Sequence, residues 1–320
     1  MAVARVLDGH GEKEIALDGD SLGTAARRRS FFWLDVLGAS DDEIRAIGEA
    51  FSLHPLAIDD SIQFGQRAKL DPYDDYALLV AFGWSPDEDG LVEVHCYYSE
   101  RYLVTVRRDE APSLDAACAR IVRALEKGKD PVMVLHEIVD SLTDSFNEPL
   151  AKLDDRLEEI ETAIVERPAQ DQVREVLTMR RELATLRKAI GPQRDLFGRL
   201  TTGVEELPGM TPDAEHAFRD LYDHLYRLGE QMDATRDVMT GALDVYLSSS
   251  SNRLGQINKQ LTVIATIFLP LTFLVGFFGQ NFGWMVRHVG SWQAFLVWGI
   301  GLELLAGAAI FALFKKLGWF

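Results

Sequence analysis

The chain has 320 residues, of which 47% are hydrophobic, and its 50 acidic residues outnumber its 33 basic residues to give a formal net charge of −17. This length is enough for a soluble domain and a small membrane module, but the composition is not that of a mostly membranous protein. The acidic excess argues against binding to nucleic acid, because neutralising phosphates requires a basic face.

The first part of the chain has the pattern of an α/β domain. Short β-rich runs occur at 31–37, 76–84, 91–99 and 101–108, and helical patterns such as 41–51 lie between them. The turn at 85–90, placed between two apolar alternating runs, predicts a hairpin. We therefore expect residues 1–130 to form an α/β cytoplasmic domain with a mostly antiparallel sheet.

Helical patterns replace the strand signals after Ser113. We expect helices over 113–127, 131–167 and 171–190, with Gly191 and Pro192 acting as a stop or a kink. Residues 131–211 are thus predicted to form an acidic helical hairpin of the cytoplasmic domain. Its acidic run can be a solvated helix face or an array that binds cations, and it consists of Asp154, Asp155, Glu158, Glu159 and Glu161.

A single long helix is predicted from residue 212 to about residue 280. Its last part, 261–279, is apolar and uncharged, and about 20 such residues cross a hydrocarbon core of about 30 Å. A second apolar span follows at 292–314, after a loop at 280–291. A helix of this length needs neighbours that a single chain of this size does not supply, so we expect an oligomer that contacts membrane lipid.

The charges that flank the spans predict the orientation in the membrane. Arg253, Lys259 and the basic tail at 315–320 lie at the outer ends of the two spans, whereas the loop between the spans has only Arg287. The first residues have no pattern of a signal peptide or transit sequence. We therefore expect a multi-pass protein of the cytoplasmic (inner) membrane with both termini in the cytoplasm.

One face of the long helix is formed by small or polar residues along its whole length. Such a face is typical both of close helix packing in membranes and of water-filled pathways, and carboxylates on a close seam would repel their symmetry copies. With only two spans per chain, a pathway would require several copies around an axis. The residues of this face are Asp237, Thr240 or Gly241, Asp244, Ser248, Ser251, Gly255, Asn258, Leu261, Ala265, Leu269, Thr272, Gly276 and Gly279.

Residues 242–282, which read ALDVYLSSSSNRLGQINKQLTVIATIFLPLTFLVGFFGQNF, resemble the membrane-proximal signature of the CorA family of magnesium channels and of its zinc-transporting relatives of the ZntB type. The resemblance continues upstream through 218–224 (FRDLYDH), 166–168 (ERP) and 54–56 (HPL), so it covers nearly the whole chain in the right order. It implies a funnel-shaped homopentamer in which the first span lines the pore and the second forms an outer ring.

The resemblance also implies roles for individual residues. Gly279, Gln280 and Asn281 match the selectivity filter, whose amide oxygens would accept hydrogen bonds from the water shell of Mg²⁺. On the cytoplasmic side of this filter, Thr272 and Leu269 match pore-facing positions. The remaining assignments are Leu261 as a hydrophobic constriction, Asp244 as an acidic ring, and Asp59, Asp60 and Asp220 as a regulatory metal site between neighbouring subunits.

Three features depart from the magnesium channels. Gln280 stands where those channels commonly have Met, and the loop after the filter has Arg287 and His288 in place of an acidic residue. Glu303 lies near the middle of the second span, where a carboxyl group is a functional candidate by default or is protonated and hydrogen-bonded between helices. His288 and Glu303 are therefore candidates for proton coupling.

The sequence leaves three functions open. The first is a pentameric channel for Mg²⁺ influx, with Co²⁺ or Ni²⁺ as further ions. Intracellular divalent cations would close this channel. The second is a proton-coupled zinc transporter, and the third is a non-conducting, membrane-anchored cation sensor. An enzyme is not expected, because the chain has no phosphate-binding glycine loop and no pattern of a nucleophile with its base. Cys96 and Cys118 are expected to be free thiols.

Overall fold

The computed structural model describes residues 2–86, 90–280, 282–288 and 290–318, and it divides into two compact units that meet between Leu243 and Asp244. The first unit contains a seven-stranded sheet with the strand order β2-β1-β3-β7-β6-β5-β4. Its strands are β1 (Val3–Asp8), β2 (Gly11–Glu14), β3 (Phe32–Leu37), β4 (Lys69–Pro72), β5 (Ala77–Ser85), β6 (Gly90–Tyr98) and β7 (Tyr102–Arg107).

The sheet is mixed but mostly antiparallel, as expected: only β3 and β7 pair in parallel among the described strands. Nearly every residue of β3, β5 and β7 is buried, which shows that helices cover both faces of the sheet. β5 and β6 pair from Ala77 with Tyr98 to Ser85 with Gly90, so the hairpin prediction is confirmed, although turn residues 87–89 lie outside the described part.

The sequence patterns identified β3, β5, β6 and β7 but not β1, β2 and β4. β1 and β2 form a hairpin around Gly9–Gly11, in which only β1 is substantially buried. β4 has four residues and a proline at its end, so it is too short to show an alternating pattern. These strands owe their stability to pairing with longer neighbours and not to local propensity.

The helices of the first unit lie between the strands and after them in the sequence. Their burial patterns place one apolar stripe of each against the rest of the unit. They are α1 (Gly19–Ala26), α2 (Asp41–Phe51), α3 (Pro55–Gln63), α4 (Pro112–Glu126), α5 (Pro131–Asp144), α6 (Asn147–Glu166), α7 (Gln170–Thr201) and the first part of α8 (Pro212–Phe278).

The structure has two helices where one was expected over 131–167, because the helix is interrupted between Asp144 and Asn147. Pro149 lies in the first turn of α6, where its missing N–H is tolerated, whereas it would interrupt a continuous helix. The Ser145 hydroxyl accepts a hydrogen bond from the backbone N–H of Trp84 (2.6 Å) at the break. This contact ties the junction to β5.

The expected end of a helix at Gly191 and Pro192 is wrong, because α7 continues to Thr201. Buried apolar residues on both sides of Pro192, among them Ile190, Leu196 and Phe197, keep the same face of α7 against the core. Tertiary packing therefore outweighs the local effect of proline here.

The acidic run on α6 is mostly solvated. Asp155, Glu158, Glu159 and Glu161 are exposed. Asp154 is the exception, because its carboxylate accepts hydrogen bonds from Gln231 (2.8 Å) and Thr235 (2.6 Å) on α8.

The predicted long helix is confirmed as α8, a single helix of 67 residues with Pro270 in its interior. The second unit contains the last part of α8, the short helix α9 (Gly283–His288) and the helix Trp292–Lys316, which we call the second-span helix. Residues Phe295–Gly301 of the second-span helix are π-helical. Both α8 and the second-span helix contain a stretch long and apolar enough to cross a membrane. The finer domain limits stated above stay predictions.

Candidate ion pathway and cation sites

The small and polar face of α8 is exposed to solvent in the single chain. Of its thirteen positions, we call the ten from Asp244 to Gly276 the pore stripe. All ten are exposed: Asp244, Ser248, Ser251, Gly255, Asn258, Leu261, Ala265, Leu269, Thr272 and Gly276. A Cβ atom added at Gly255 or Gly276 would meet no atom of the described residues within 4 Å, the neighbouring backbone of α8 excepted. The stripe is therefore free for contacts that the chain does not make with itself.

Within the apolar part of α8, a different face is covered. The half-buried residues there follow helical spacing, and they are Val263, Ile267, Pro270, Leu271, Leu274 and Phe278. At about 100° per residue, this face lies on the opposite side of the helix from Leu261, Ala265, Leu269, Thr272 and Gly276. The second-span helix has a half-buried face with the same spacing, formed by Gly299, Glu303, Ala306, Gly307 and Ile310, followed by buried Phe314. The two apolar helices thus use faces that exclude the pore stripe.

The predicted filter begins directly after α8 ends. The backbone N–H of Gly279 donates to the Val275 carbonyl (2.8 Å), and that of Gln280 donates to the Phe277 carbonyl (3.3 Å). A Cβ atom at position 279 would lie 3.0 Å from the Val275 carbonyl oxygen, which is why glycine suits this position. Gly279 and Gln280 are exposed, and Asn281 lies outside the described residues.

The loop after the filter places an aromatic side chain against His288. The imidazole stacks on the Trp284 ring with 4.7 Å between ring centroids, and its Nδ1 atom lies 3.0 Å from the Trp284 carbonyl oxygen. Nearby, Phe278, Gln280 and Phe295 help to line a cavity of about 260 Å³ between the ends of the two apolar helices. Gln280 is thus one of the residues that line this cavity.

The acidic residues after His54-Pro55-Leu56 lie on α3. Asp59 is exposed, whereas the Asp60 carboxylate accepts a hydrogen bond from Lys69 (2.7 Å). Burial works to lower the pKa of Lys69, but its hydrogen bonds to Asp60 and Asp71 outweigh burial and raise that pKa. Asp220 is exposed on α8. Among the described residues of a single chain, Asp220 does not form a group of potential metal ligands with Asp59 and Asp60.

A second group of potential metal ligands lies between α5 and α8, and the sequence analysis missed it. The ligand atoms of Asp140, Asp144 and His224 all lie within 4.8 Å of one another. Burial and the charge of Asp144 raise the pKa of the Asp140 carboxyl. The spacing of the two aspartates within α5 is visible in the sequence, but nothing local indicates that His224 joins them. His224 follows Asp220 by one helical turn, so both lie on the same face of α8.

The α/β unit, followed by the 67-residue helix α8 and the second-span helix, fits a membrane protein with two spans. The chain belongs to the CorA-like Mg²⁺ transporter family, whose model, described as "CorA-like Mg2+ transporter protein", matches residues 28–316. This family consists of membrane transporters of divalent metal ions and not of enzymes.

Individual relatives span nearly the whole chain. YfjQ of Bacillus subtilis is 33% identical over 91% of this chain and 90% of its own, and the cobalt/magnesium transport protein CorA of Thermotoga maritima is 30% identical over 90% and 83%. The zinc transport protein ZntB of Cronobacter sakazakii is 28% identical over 98% and 94%. The structure of the CorA magnesium transporter of Methanocaldococcus jannaschii matches with a TM-score of 0.82 at 21% identity, covering 100% of this chain and 99% of the other. The last match shows the shared fold alone.

Proposed function

We propose that five copies of this chain form a pore for divalent cations across the cytoplasmic membrane, with the pore stripe facing the axis. The observation that carries the proposal is the division of α8 into two opposite faces within its apolar part: one is half-buried and the other, small and polar, is exposed. A helix that only anchored the soluble unit would have no need of an exposed polar stripe, which also makes a non-conducting sensor a poor explanation.

The proposed ion is Mg²⁺, moving inward, with Co²⁺ and Ni²⁺ as further ions. A ring of Asn281 amides next to Gly279 and Gln280 suits a cation that keeps most of its water shell. Rings of Leu261 and Leu269 would close the pore by excluding water, so that a modest widening opens it. Asp244 adds a ring of negative charge that attracts cations. Inward movement would be driven by about 2.3 kcal/mol per charge for each 100 mV of membrane potential.

Closure would depend on cation sites in the first unit. Asp59 and Asp60 of one chain would face Asp220 of its neighbour, and a bound cation would neutralise carboxylates that otherwise repel one another. Asp140, Asp144 and His224 would form a further cation site beside Asp220, since a mixed oxygen and nitrogen ligand set suits Co²⁺ or Zn²⁺. High intracellular cation concentration would then hold the pore closed.

Proton-coupled zinc transport is the second candidate, and Glu303 favours it. This carboxyl lies on the half-buried face of the second-span helix, and the structure gives it no hydrogen bond or ion pair with any other described residue. A carboxyl without a partner at membrane depth is typical of proton pathways. His288 would be the second protonatable group. Under this mechanism, Glu303→Gln abolishes the dependence of zinc uptake on a pH gradient, whereas under passive Mg²⁺ transport it leaves Mg²⁺ uptake intact.

Ion uptake by liposomes containing the purified protein tests the leading proposal. With an inside-negative potential, we expect Asn281→Ala to change Mg²⁺ uptake by about tenfold, the effect of about 1.4 kcal/mol on the pathway. Gln293→Ala is a matched control, because it removes an exposed amide from the start of the second-span helix, outside the predicted filter. Equal uptake by the wild type and Asn281→Ala would remove Asn281 from the filter.

A further inference from the structure

A chain of buried hydrogen bonds connects α3 to β6. The Tyr97 hydroxyl donates to the Ala57 carbonyl (2.7 Å) and lies 2.6 Å from the Ser61 hydroxyl. Ser61 Oγ lies 2.7 Å from Nδ1 of His95, and Nε2 of His95 lies 2.8 Å from Oε1 of Glu93. The side chains of Ser61 and His95 are inaccessible to solvent, so no external water completes these bonds.

The Ala57 carbonyl, at one end of this series of hydrogen bonds, fixes which atom donates in each of them. A carbonyl oxygen can only accept, so Tyr97 uses its single hydroxyl hydrogen on Ala57. The contact between Tyr97 and Ser61 then requires Ser61 to donate its own hydrogen to the Tyr97 oxygen. Ser61 has no second hydrogen, so Nδ1 of His95 must be protonated and donate to Ser61.

The contact between His95 and Glu93, at the other end of this series of hydrogen bonds, shows that one more proton is present. A neutral imidazole with its hydrogen on Nδ1 offers only a lone pair at Nε2, and a lone pair facing a carboxylate oxygen at 2.8 Å is repulsive. The contact is favourable only if a proton lies between them. Glu93 already accepts the backbone N–H groups of Gly65 (2.7 Å) and Gln66 (2.9 Å), which suits an ionised carboxylate. The extra proton therefore belongs on Nε2, which makes His95 an imidazolium paired with Glu93.

The surroundings of the pair enclose it and contain several charged or titratable groups. The Phe64 ring packs on His95 at 4.7 Å between centroids, and Phe64 has a positive φ of 56°, a conformation that costs energy for a non-glycine residue. The Arg108 guanidinium lies over the Phe64 ring at 4.5 Å and donates to the Ile62 carbonyl. The other groups facing this region are Tyr97 and, further away, Tyr76, Tyr73, Asp60 and Lys69.

We propose that His95 and Glu93 form a buried proton-binding site that holds the carboxyl-terminal end of α3 on the sheet. Without this proton, either the Ser61 contact or the Glu93 contact lacks a hydrogen, which loosens α3 and the residues after it. α3 also carries Asp59 and Asp60, so proton release reaches the regulatory cation site. This last consequence rests on the proposed function, whereas the proton site does not.

Nuclear magnetic resonance of the ring nitrogens tests the proposal on the full-length protein in lipid. The protein would be labelled with ¹⁵N-histidine, and His95→Gln would assign the signals of His95 among those of the seven histidines. At pH 7.5 an ordinary histidine, with a pKa of about 6.5, is about nine-tenths neutral. We expect both nitrogens of His95 to be protonated at this pH. A single protonated nitrogen in the wild type would overturn the proposal.

Tyr97→Phe is the most specific variant, because it alters no group that is charged at this pH. Without the Tyr97 oxygen, Ser61 can donate to Nδ1 of His95, and a neutral imidazole with its hydrogen on Nε2 satisfies Glu93. We therefore expect His95 to lose one proton in Tyr97→Phe. Tyr226→Phe, at an exposed tyrosine of α8, is the control and should leave His95 unchanged. Two protonated nitrogens in folded Tyr97→Phe would contradict the proposed directions of the bonds.

Glu93→Gln provides a second variant that keeps the shape of the site. The Gln amide nitrogen, in the place of the oxygen that contacts His95, can donate to Nε2 of a neutral His95 while the amide oxygen accepts from Gly65, so the extra proton is no longer needed. The Gln66 N–H, which donates to the same oxygen as His95, loses its acceptor in this arrangement. We expect a neutral His95 in this variant as well. An imidazolium that persists in Glu93→Gln would show that Glu93 does not hold the proton, and the proposed pair would be wrong.

Discussion

The Nζ atom of Lys69 lies 2.7 Å from a carboxylate oxygen of Asp60 and 2.6 Å from one of Asp71. Asp60, which the sequence assigned to the regulatory metal site, therefore already has a cationic partner in the single chain, whereas Asp59 beside it is exposed. A divalent cation that binds here competes with Lys69 for Asp60. Lys69 thus lowers the affinity of the proposed site and sets the cation concentration at which it fills.

Replacing Lys69 by Met should strengthen cation binding at this site. Exposed ion pairs are worth about 0.2–1 kcal/mol, so releasing Asp60 is expected to tighten Co²⁺ or Mg²⁺ binding by up to about fivefold. Calorimetric titration of the purified protein measures the affinity. Lys152→Met, which breaks the exposed pair with Glu148 on α6, is the matched control. If the two variants bind cations equally, Asp60 is not a ligand.

Asp140→Asn tests both the pH dependence of stability and the binding of metal at the group formed by Asp140, Asp144 and His224. Burial and the charge of Asp144 raise the pKa of Asp140, so the ionised carboxyl destabilises the fold. The wild type should therefore gain stability as the pH falls from above this raised pKa towards the ordinary aspartate value of about 4. In Asp140→Asn, this gain and the stabilisation by Co²⁺ should both diminish.

Thermal unfolding at a series of pH values from 7.5 down to about 4, the ordinary aspartate pKa, with and without Co²⁺, measures both effects. Asp171→Asn is the control, because Asp171 is an exposed aspartate in the first turn of α7. An unchanged response to Co²⁺ in Asp140→Asn would exclude Asp140 as a ligand, even if the pH dependence changed as expected.

Asp35 is predicted to be essential for the stability of the sheet. It is buried and lies 3.1 Å from Arg107 and 2.8 Å from Arg5. Burial would raise its pKa, but Arg107 and Arg5 together lower it. The stabilisation is therefore present above the ordinary aspartate value of about 4 and is lost as the pH falls through the lowered pKa of the folded state. Asp35→Asn leaves the buried Arg107 with only the half-exposed Asp115, 3.6 Å away, as a charge partner, which should cost about 3–5 kcal/mol of unfolding free energy.

Unfolding by denaturant measures this loss, and the fluorescence of Trp33 is a local probe. The Trp33 indole N–H donates to the Thr105 hydroxyl (2.9 Å), and the Thr105 hydroxyl donates to the Asp35 carboxylate (2.8 Å). Asp115→Asn is the matched control. Asp115 pairs with the same two arginines, Arg5 (2.6 Å) and Arg107 (3.6 Å), but it is about half exposed, so Asp115→Asn should cost about 1 kcal/mol or less. Equal losses in the two variants would contradict the buried network around Asp35.

Asn258 and Asn252 offer a matched test of the pore stripe. Both are exposed asparagines of α8, but they are six residues and hence about 120° apart around the helix. We expect Asn258→Ala to change Mg²⁺ uptake into liposomes by several-fold, since it removes a polar group from the proposed pathway, and Asn252→Ala to leave it unchanged. A larger effect of Asn252→Ala would place a different face of α8 on the axis.

The long-range parts of the sites were harder to predict than the helices and strands. The 67-residue helix and the two apolar stretches follow from uninterrupted local patterns, which sequence reveals well. The break before Asn147 depends on contacts with β5, and the path of α7 through Pro192 depends on a buried face. His224 joins Asp140 and Asp144 only when α5 and α8 pack together.

The pore stripe illustrates what the structure adds to a sequence pattern. The sequence placed Leu261, Thr272 and Gly276 on one face but could not separate a water-filled pathway from close helix packing. The structure shows that the half-buried face of the apolar part of α8, which contains Pro270 and Leu274, lies opposite the pore stripe. Contacts between copies of the chain decide the remaining question, and these contacts leave no local signature in one sequence.

Uptake of Mg²⁺ and Zn²⁺ by liposomes that contain only this protein tests the proposed transport directly. Both ions would be measured with an inside-negative potential, with and without an inward proton gradient. We predict Mg²⁺ uptake that increases with the potential and does not change with the proton gradient. Uptake of Zn²⁺ alone, dependent on the proton gradient, would contradict the proposed passive magnesium channel.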